Sequence, residues 1–286
     1  MRWTARSAGV AAAALLLGSC QPAPGTVVRL VTTTSVYDSG LLGALIPEFE
    51  SSHAARVDVL AVGSGQALAL AERGDADLLL VHDPAAEQAF LDAGNGLERF
   101  PLMWNEFVLV GPPDDPAGAA QAESVSQGFR RIADARSLFL SRGDNSGTHS
   151  RERQIWERAG ITPEGESWYA VLGQGMGETL TAAAEVGGYT LSDRGTFLAL
   201  QETLSDLEIL LPRPGRSGID PDLLNAYSLI TIDPERHPGT QSRLAEALVE
   251  WLLSDQVQQR IADFGVDRFG EPLFFPSYGQ DPAAGP

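Results

Sequence analysis

The amino-acid sequence predicts an α/β fold of two lobes, in which two mixed or parallel sheets are joined by two crossing strands. Strand-like and helix-like segments alternate through most of the chain, which is typical of a sheet covered by helices. Two extended runs, at 100–111 and 227–232, are placed to connect the lobes, and the first is longer than a usual strand. Turns rich in glycine and hydroxyl residues follow the strands.

The first lobe is predicted to begin with alternating strands and helices. Residues 26–34 alternate and are rich in β-branched side chains, which predicts a strand. Asp38, Ser39 and Gly40 then begin a helix that continues to Phe49. The order repeats with strands at 56–62 and 77–82, a helix that follows Gln66 and runs to Arg73, and a helix at 85–93. Strands and helices in this order predict a parallel sheet.

The second lobe repeats the strand–turn–helix order, and the chain then returns to the first lobe. Strands are predicted at 137–140, 168–172, 188–191 and 208–211, helices within 114–135, after 146–148, from Glu178 and at 196–204, and an irregular loop at 212–221. Helices at 240–253 and 254–264 follow the return crossing, and we expect the tail to pack on the first lobe through Leu273, Phe274 and Phe275. The predicted lobes comprise 26–108 with 226–286, and 109–225.

Composition limits the classes of function that fit the chain. The formal net charge is −18, and all 20 basic residues are Arg. An acidic chain lacks the basic face that nucleic acid requires, so we expect no nucleic-acid partner. A small anion is compatible with this charge, because a local site can be positive on an acidic protein.

The N-terminal segment predicts export and lipid anchoring. Two arginines precede an apolar run at 8–17 that is too short to span a bilayer, which is typical of a signal peptide, here 1–19. The run ends in Leu17-Gly18-Ser19-Cys20, which resembles a bacterial lipobox, and Cys20 is the single cysteine. We expect a lipid on Cys20 and a tether at 20–25, which would hold the protein on the bacterial cell envelope, in the periplasm or at the outer face of the cytoplasmic membrane.

One strand-to-helix turn carries the functional interpretation. Ser146, Gly147 and Thr148 begin a helix, and Arg142 stands four residues before Ser146. A helix start offers unpaired backbone N–H groups and partial positive charge, which suits an anion. The guanidinium adds donors, and we expect Asp144 to orient it by a paired hydrogen bond. The alternative interpretation is an ordinary N-cap, since Ser before a helix is common on stability grounds alone.

Four further turns complete the predicted site. They lie at 32–35 and 63–66 in the first lobe and at 173–177 and 192–195 in the second. In open α/β sheets, ligands bind outside the carboxyl ends of the strands, where all these turns fall. The two sets would face each other across a cleft that closes on its ligand by a hinge. The donors are nearly all neutral hydroxyls and backbone N–H groups, which suit a fully ionised anion.

The ordered set of motifs resembles that of type II solute-binding proteins of ABC importers and, more narrowly, of their tungstate-binding subfamily. The resemblance covers most of residues 27–280. Its pieces are Thr32-Thr33-Thr34-Ser35 with Asp38-Ser39-Gly40, Gly63-Ser64-Gly65-Gln66-Ala67, Gly74-Asp75-Ala76-Asp77-Leu78, Asn105-Glu106-Phe107-Val108, 141–149, 173–177 and 189–195. One departure is Ser64, where the subfamily pattern leads us to expect Thr, although the hydroxyl is retained.

The resemblance implies a two-lobed type II periplasmic-binding-protein fold and no catalysis. It implies tungstate or a related tetrahedral oxyanion as ligand, and the permease and ATPase of an ABC importer as partners. The choice of tungstate over molybdate rests on the resemblance alone, because the two ions are nearly the same size. We expect a monomer.

The expected ligand-binding residues come from both lobes. They are Thr33, Thr34, Ser35, Ser64, Gly65, Arg142, Ser146, Gly147, Thr148, Gln174, Gly175 and Arg194, with Asp144 as the orienting residue. The alternative for Arg194 is a structural pair with Asp193. His82 and His149 lie near the predicted cleft, but neither has a second ligand at metal spacing, so we expect them to be structural or solvent-facing. No metal site and no cofactor are predicted.

Two other functions compete with this interpretation. The pattern at 142–148 is also similar to that of phosphate-binding proteins, whose sites supply a carboxylate for the proton of hydrogen phosphate. The first-lobe turns at 32–36 and 63–66 carry no carboxylate, and Asp38 is expected inside the start of a helix, which favours a metal oxyanion. A secreted phosphoester hydrolase would need a nucleophile with a base, or a metal, and the sequence shows no such arrangement.

Overall fold

Strands and helices alternate along the chain much as the sequence predicts. The computed structural model describes residues 27–212, 220–280 and 282. The predicted signal peptide at 1–19, the lipid site at Cys20, the tether at 20–25 and most of the predicted loop at 212–221 lie outside these residues. Within them, no helix combines the length and the apolar character that crossing a membrane requires.

The bounds of the regular elements are as follows. The strands are β1 (Val27–Thr33), β2 (Arg56–Val62), β3 (Leu78–Val81), β4 (Gly96–Gly111), β5 (Phe139–Ser141), β6 (Tyr169–Val171), β7 (Thr190–Asp193), β8 (Glu208–Leu211), β9 (Leu224–Ile232) and β10 (Phe275–Pro276). The helices are α1 (Thr34–Asp38), α2 (Leu41–His53), α3 (Ser64–Glu72), α4 (Pro84–Asp92), α5 (Val125–Ala135), α6 (Gly147–Ala159), α7 (Met176–Val186), α8 (Arg194–Leu200), α9 (Ser242–Leu252), α10 (Asp255–Asp263) and α11 (Val266–Phe269).

The first-lobe sheet has the order β2-β1-β3-β9-β4-β10. β1 pairs in parallel with β2 and β3, whereas β9 is antiparallel to both β3 and β4. One apolar cluster fills the face under α2, α9 and α10, and a second fills the opposite face under α3 and α4. Leu273 and Phe274 join the first of these clusters, as predicted, and Phe275 stacks on Trp104 at 4.4 Å.

The second-lobe sheet is built on the last residues of β4. Phe107 to Val110 pair with β7 and Leu109 to Gly111 with β8, in both cases antiparallel. β5 lies in parallel between β6 and the start of β7, where Phe139 bridges to Tyr189. Helices α5 and α6 cover one face, and α7 and α8 cover the other.

The predicted crossing strand at 100–111 lies within β4. The return of the chain to the first lobe differs from the predicted crossing at 227–232. Residues 227–232 pair wholly within the first lobe. The chain crosses earlier, at Leu223, whose carbonyl accepts a hydrogen bond of 2.7 Å from the backbone N–H of Phe107. Asn105 and Asn225 are paired directly beside this point. Because β4 continues through both sheets, the sheet has no break at a lobe boundary, and the boundaries at 108/109 and 225/226 stay a prediction.

The second-lobe core depends on Trp156, which packs against Phe129 and Phe139 with ring centroids 4.5 and 5.1 Å away. Trp156→Ala should lower the free energy of unfolding by about 3–5 kcal/mol, because it empties a large buried volume. Val186→Ala, at a side chain that is 55% exposed, should change it by less than about 0.5 kcal/mol. Urea unfolding followed by circular dichroism measures both, and equal effects would contradict this assignment of the core.

Candidate functional site

A cleft of about 850 Å³ lies between the two lobes. Six of the predicted residues line it, and these are Thr34, Ser35, Gly65, Arg142, Asp144 and Gly175. Across the cleft the two lobes touch, since a Cβ on Gly63 would lie 3.8 Å from Cα of Ser146. A Cβ on Gly65 would lie 3.8 Å from the carbonyl oxygen of Asn145. The structure therefore brings turns from both lobes together, as the sequence predicts.

Five helices begin beside the cleft. The lining contains first-turn or preceding residues of α1 and α3 from the first lobe and of α6, α7 and α8 from the second. α1, α3 and α7 have no side chain capping their first turn, whereas Ser146 caps α6 and Asp193 caps α8. Uncapped helix starts present backbone N–H groups and partial positive charge to the cleft. Such a lining is suited to an anion.

Arg142 provides the cationic group among the predicted residues that line the cleft. It follows β5 directly, is only 5% exposed, and its Nε has no hydrogen-bond partner. One guanidinium nitrogen donates to Oδ2 of Asp144 at 2.5 Å, and another lies 3.5 Å from Oγ1 of Thr148. The paired hydrogen bond predicted for Asp144 is wrong, because its second oxygen accepts the backbone N–H of Ser146 instead.

The turn that carries Arg142 requires glycine at position 143. Gly143 has a φ of +65°, and a Cβ there would lie 2.2 Å from Cγ1 of Val171. Burial opposes ionisation of Asp144, but hydrogen bonds from Ser146 and the charge of Arg142 hold the pKa of that carboxyl below its usual value. The carboxylate therefore stays ionised and fixes both the guanidinium and the turn.

Six other predicted residues do not line the cleft directly, and these are Thr33, Ser64, Ser146, Gly147, Thr148 and Gln174. Oγ1 of Thr33 is 3.1 Å from Oγ of Ser35, and Thr33 is buried. Ser64 is buried too, and its Oγ has no hydrogen-bond partner. Gln174 meets the Arg142 turn through its backbone N–H, which donates to the carbonyl of Arg142 at 3.1 Å.

The structure does not bring Arg194 to the cleft lining. Its guanidinium pairs with the carboxylate of Glu271 in the C-terminal tail at 2.9 Å. The alternative pair with Asp193 is also wrong, because Asp193 caps α8 by accepting from the backbone N–H and the hydroxyl of Thr196. Glu271 lies 77 positions away from Arg194 in the chain, so no local sequence pattern indicates this ion pair.

Two carboxylates in the cleft lining were also missed. Asp38 ends the short helix α1, instead of lying inside the start of α2, and it lines the cleft opposite Glu178 of α7. Partial burial and the charges of Glu178 and Asp193 raise the pKa of Asp38. A Cβ on Gly175 would lie 2.6 Å from Oε2 of Glu178, so this carboxylate sits at the uncapped start of α7. The turns at 32–36 and 63–66 carry no carboxylate, but the expectation that Asp38 lies inside the start of a helix and away from the site is wrong.

The two histidines near the cleft have structural environments. His82 is buried, and its Nδ1 lies 2.7 Å from Oδ1 of Asn225. Nδ1 of His149 accepts the backbone N–H of Asn145 at 3.1 Å, and partial burial lowers the pKa of His149. Among the residues that the structure describes, no group of three or more His, Cys, Asp or Glu side chains is placed to hold a metal ion.

Comparison with known proteins agrees with this geometry. A family profile described as the PBP superfamily domain matches residues 21–256. The chain is 42% identical over 257 residues to the tungstate-binding protein TupA of Peptoclostridium acidaminophilum, covering 89% of this chain and 87% of that protein. The crystal structure of TupA from Desulfovibrio alaskensis G20 superposes with a TM-score of 0.76 at 42% identity, covering 87% of this chain and 98% of the other.

A second solved structure gives the same result. The tungstate ABC transporter protein from Geobacter sulfurreducens superposes with a TM-score of 0.74 at 40% identity, covering 83% of this chain and 98% of the other. The fold and the cleft are those of a two-lobed solute-binding protein of the periplasmic type. The chain belongs to the PBP superfamily and, within it, to the family of the tungstate-binding protein TupA.

His82 should make the stability of the protein depend on pH. Burial lowers its pKa from 6.5 to about 4, so the unfolded chain takes up the proton first as the pH falls. The stabilisation is complete above pH 6.5 and is lost between pH 6.5 and about 4, by about 3 kcal/mol in total. Urea unfolding at several pH values measures this loss. His82→Gln should flatten the dependence, and an unchanged slope would contradict the assignment.

Proposed function

We propose that this protein is the extracytoplasmic solute-binding protein of an ABC importer, which captures tungstate, or molybdate, in the cleft and delivers it to the permease. The supporting observation is the cleft lining, in which uncapped helix starts from both lobes surround the buried Arg142. The names of the related proteins support tungstate in particular. The ligand-binding roles of the predicted residues, apart from Arg194, are part of this proposal.

The hydrogen-bond donors of the cleft, more than its charge balance, fit an ionised oxyanion. The ion pair with Asp144 offsets the charge of Arg142, so the site relies on donors more than on net charge. Thr34 and Ser35 add hydroxyls to the backbone N–H groups of the lining. Each oxygen of a dehydrated dianion needs such donors, because an unpaired charge away from water is costly.

The size of the cleft supports closure on the ligand. A water molecule takes up about 30 Å³ of liquid volume. A tetrahedral anion has only five atoms, so a cleft of about 850 Å³ is several times larger than the space that one such anion needs. Closure of the part of the cleft away from the existing contacts at Ser146 and Gly147, with β4 and the chain at Leu223 as the hinge, would bring donors from both sides to the anion.

Phosphate is the alternative ligand, and one observation favours it. Asp38 lines the cleft, so the first lobe does offer an acceptor for the proton of hydrogen phosphate. Tungstate and molybdate carry no such proton, and two carboxylates near the anion would repel them. Family membership outweighs this observation, and the titration below decides between the ligands.

The arrangement around Ser146 does not support the hydrolase alternative. Oγ of Ser146 accepts the backbone N–H of His149, and Nδ1 of His149 accepts the backbone N–H of Asn145. The imidazole is therefore not arranged as a base for this hydroxyl. We propose that the protein has no catalytic activity.

The cellular setting is part of the same proposal. Export through the signal peptide at 1–19 and a lipid on Cys20 would keep the monomeric protein at the envelope, close to the permease and its ATPase. Mass spectrometry of the mature protein purified from membranes tests the anchor, since lipidation adds the mass of the acyl chains to a peptide that begins at Cys20.

Calorimetric titration of the mature protein with tungstate, molybdate, sulfate and phosphate tests the ligand. Tungstate should bind most tightly, and Arg142→Ala should weaken it by about tenfold or more, because hydrogen bonds from a charged group are lost. Arg153→Ala, at an exposed position on the following helix α6, serves as the matched control and should bind as the unaltered protein does.

Tighter binding of phosphate than of tungstate would replace the proposed ligand. Unchanged affinity in Arg142→Ala would show that the site is placed wrongly. A phosphoester assay runs beside the titration, and saturable hydrolysis that disappears in Ser146→Ala would overturn the binding-protein assignment.

Glu178→Gln should strengthen tungstate binding by about threefold, because it removes a negative charge that repels the anion. The gain is small because solvent in the cleft partly screens this repulsion. Glu185→Gln, near the other end of α7, changes the net charge equally and serves as the control. Calorimetry at constant ionic strength measures both variants. Weaker binding in Glu178→Gln would show that this carboxylate holds a donor in place instead of opposing the anion.

A further inference from the structure

We infer that His82 is a positioning residue, whose imidazole fixes the start of α6 against the first lobe and so sets the geometry of the anion site. The inference rests on the proposed function, because it assigns α6 to the ligand. His82 follows β3 in the first lobe, whereas Gly147 begins α6 in the second. The contact between these two residues therefore joins the lobes directly beside Arg142 and Thr148.

The imidazole is held on several sides. Its ring stacks on Tyr227 with centroids 4.8 Å apart and lies 6.2 Å from the ring of Phe107. Nδ1 is 2.7 Å from Oδ1 of Asn225. A ring with a hydrogen bond at one edge and an aromatic face against it has little freedom to move, so it can act as a fixed surface.

A buried polar network connects this ring to the two strands at the hinge. Nδ2 of Asn225 donates to Oδ1 of Asn105 at 2.7 Å and to the hydroxyl of Tyr227 at 2.8 Å. Because Nδ2 is the donor in both bonds, Oδ1 of Asn225 is the acceptor for the Nδ1–H of His82. Asn105 on β4 and Asn225 on β9 are register partners where the chain passes between the lobes. His82 is thereby anchored to the hinge itself.

Gly147 meets this fixed ring at close range. A Cβ at position 147 would lie 2.4 Å from Cε1 and 2.7 Å from Nε2 of His82. Gly147 is not among the glycines with positive φ, so its backbone conformation does not require glycine. Space against the ring is the reason for glycine here. The ring therefore limits how closely the start of α6, with its N–H groups, can approach the first lobe.

A double-mutant cycle tests this inference. His82→Ala, Gly147→Ala and the double variant are compared with the unaltered protein by tungstate calorimetry and by thermal unfolding without ligand. Gly147→Ala should lose about tenfold in affinity, because the added methyl group overpacks the contact. Removing the ring makes room for the methyl group, so the double variant should bind as His82→Ala does. Gly43→Ala in α2, where no atom lies within 4 Å of the added carbon, is the matched control and should keep its affinity.

The position of the ring also predicts a graded response. His82→Gln keeps a donor for Asn225 but removes the ring, so it should relieve Gly147→Ala as His82→Ala does. It should also retain more thermal stability than His82→Ala. A purely structural role for His82 would lower thermal stability without this relief.

Each outcome decides one question. Losses in affinity that multiply in the double variant would overturn the inference, because independent sites are additive in free energy. If the unaltered protein binds no tungstate, the proposed function fails. The melting temperatures then test only whether His82 and Gly147 are in contact. Losses in melting temperature that add independently would then overturn it, and recovery in the double variant would support it.

Discussion

The backbone N–H groups at the start of each helix are the constraint on which the cleft depends. No carbonyl within the helix can satisfy them, so they need a side-chain cap, water or a ligand. Here the cleft brings five helix starts together, and three of them have no side-chain cap. Connecting parallel strands by helices places such starts at the carboxyl edge of each sheet. β4 then fixes the two edges relative to each other, because one strand belongs to both sheets.

Much of this arrangement could be predicted because it depends on local pattern. The strand–turn–helix order is carried by β-branched runs, by caps such as Ser146, and by glycines in tight turns such as Gly143. The strand-to-helix turn that contains Arg142 was predicted correctly because its residues are neighbours in the chain. The helix α1 was missed because it is only five residues long and shows no period.

The errors, and the contacts that could not be foreseen, involve residues far apart in the chain. Arg194 pairs with Glu271, and His82 meets Gly147 and Asn225, at separations that no local pattern records. The return crossing was placed too late because residues 224–232 form one uniformly buried strand, so its sequence does not show where the chain leaves the second lobe. Asp38 was misplaced because the position of its side chain depends on the end of a helix that was not expected.

The charge of the whole chain and the charges that line the cleft would act on an anion over different distances. The formal net charge of −18 repels a dianion at long range, but at physiological salt this field fades beyond about 8 Å. Inside the cleft an anion would meet fixed dipoles, the balanced pair of Arg142 with Asp144, and the carboxylates of Asp38 and Glu178, over distances too short for salt to screen. Dissolved salt would therefore speed the encounter with an anion and leave its release almost unchanged. A strongly acidic protein of this design would capture an anion faster in salty surroundings than in dilute ones.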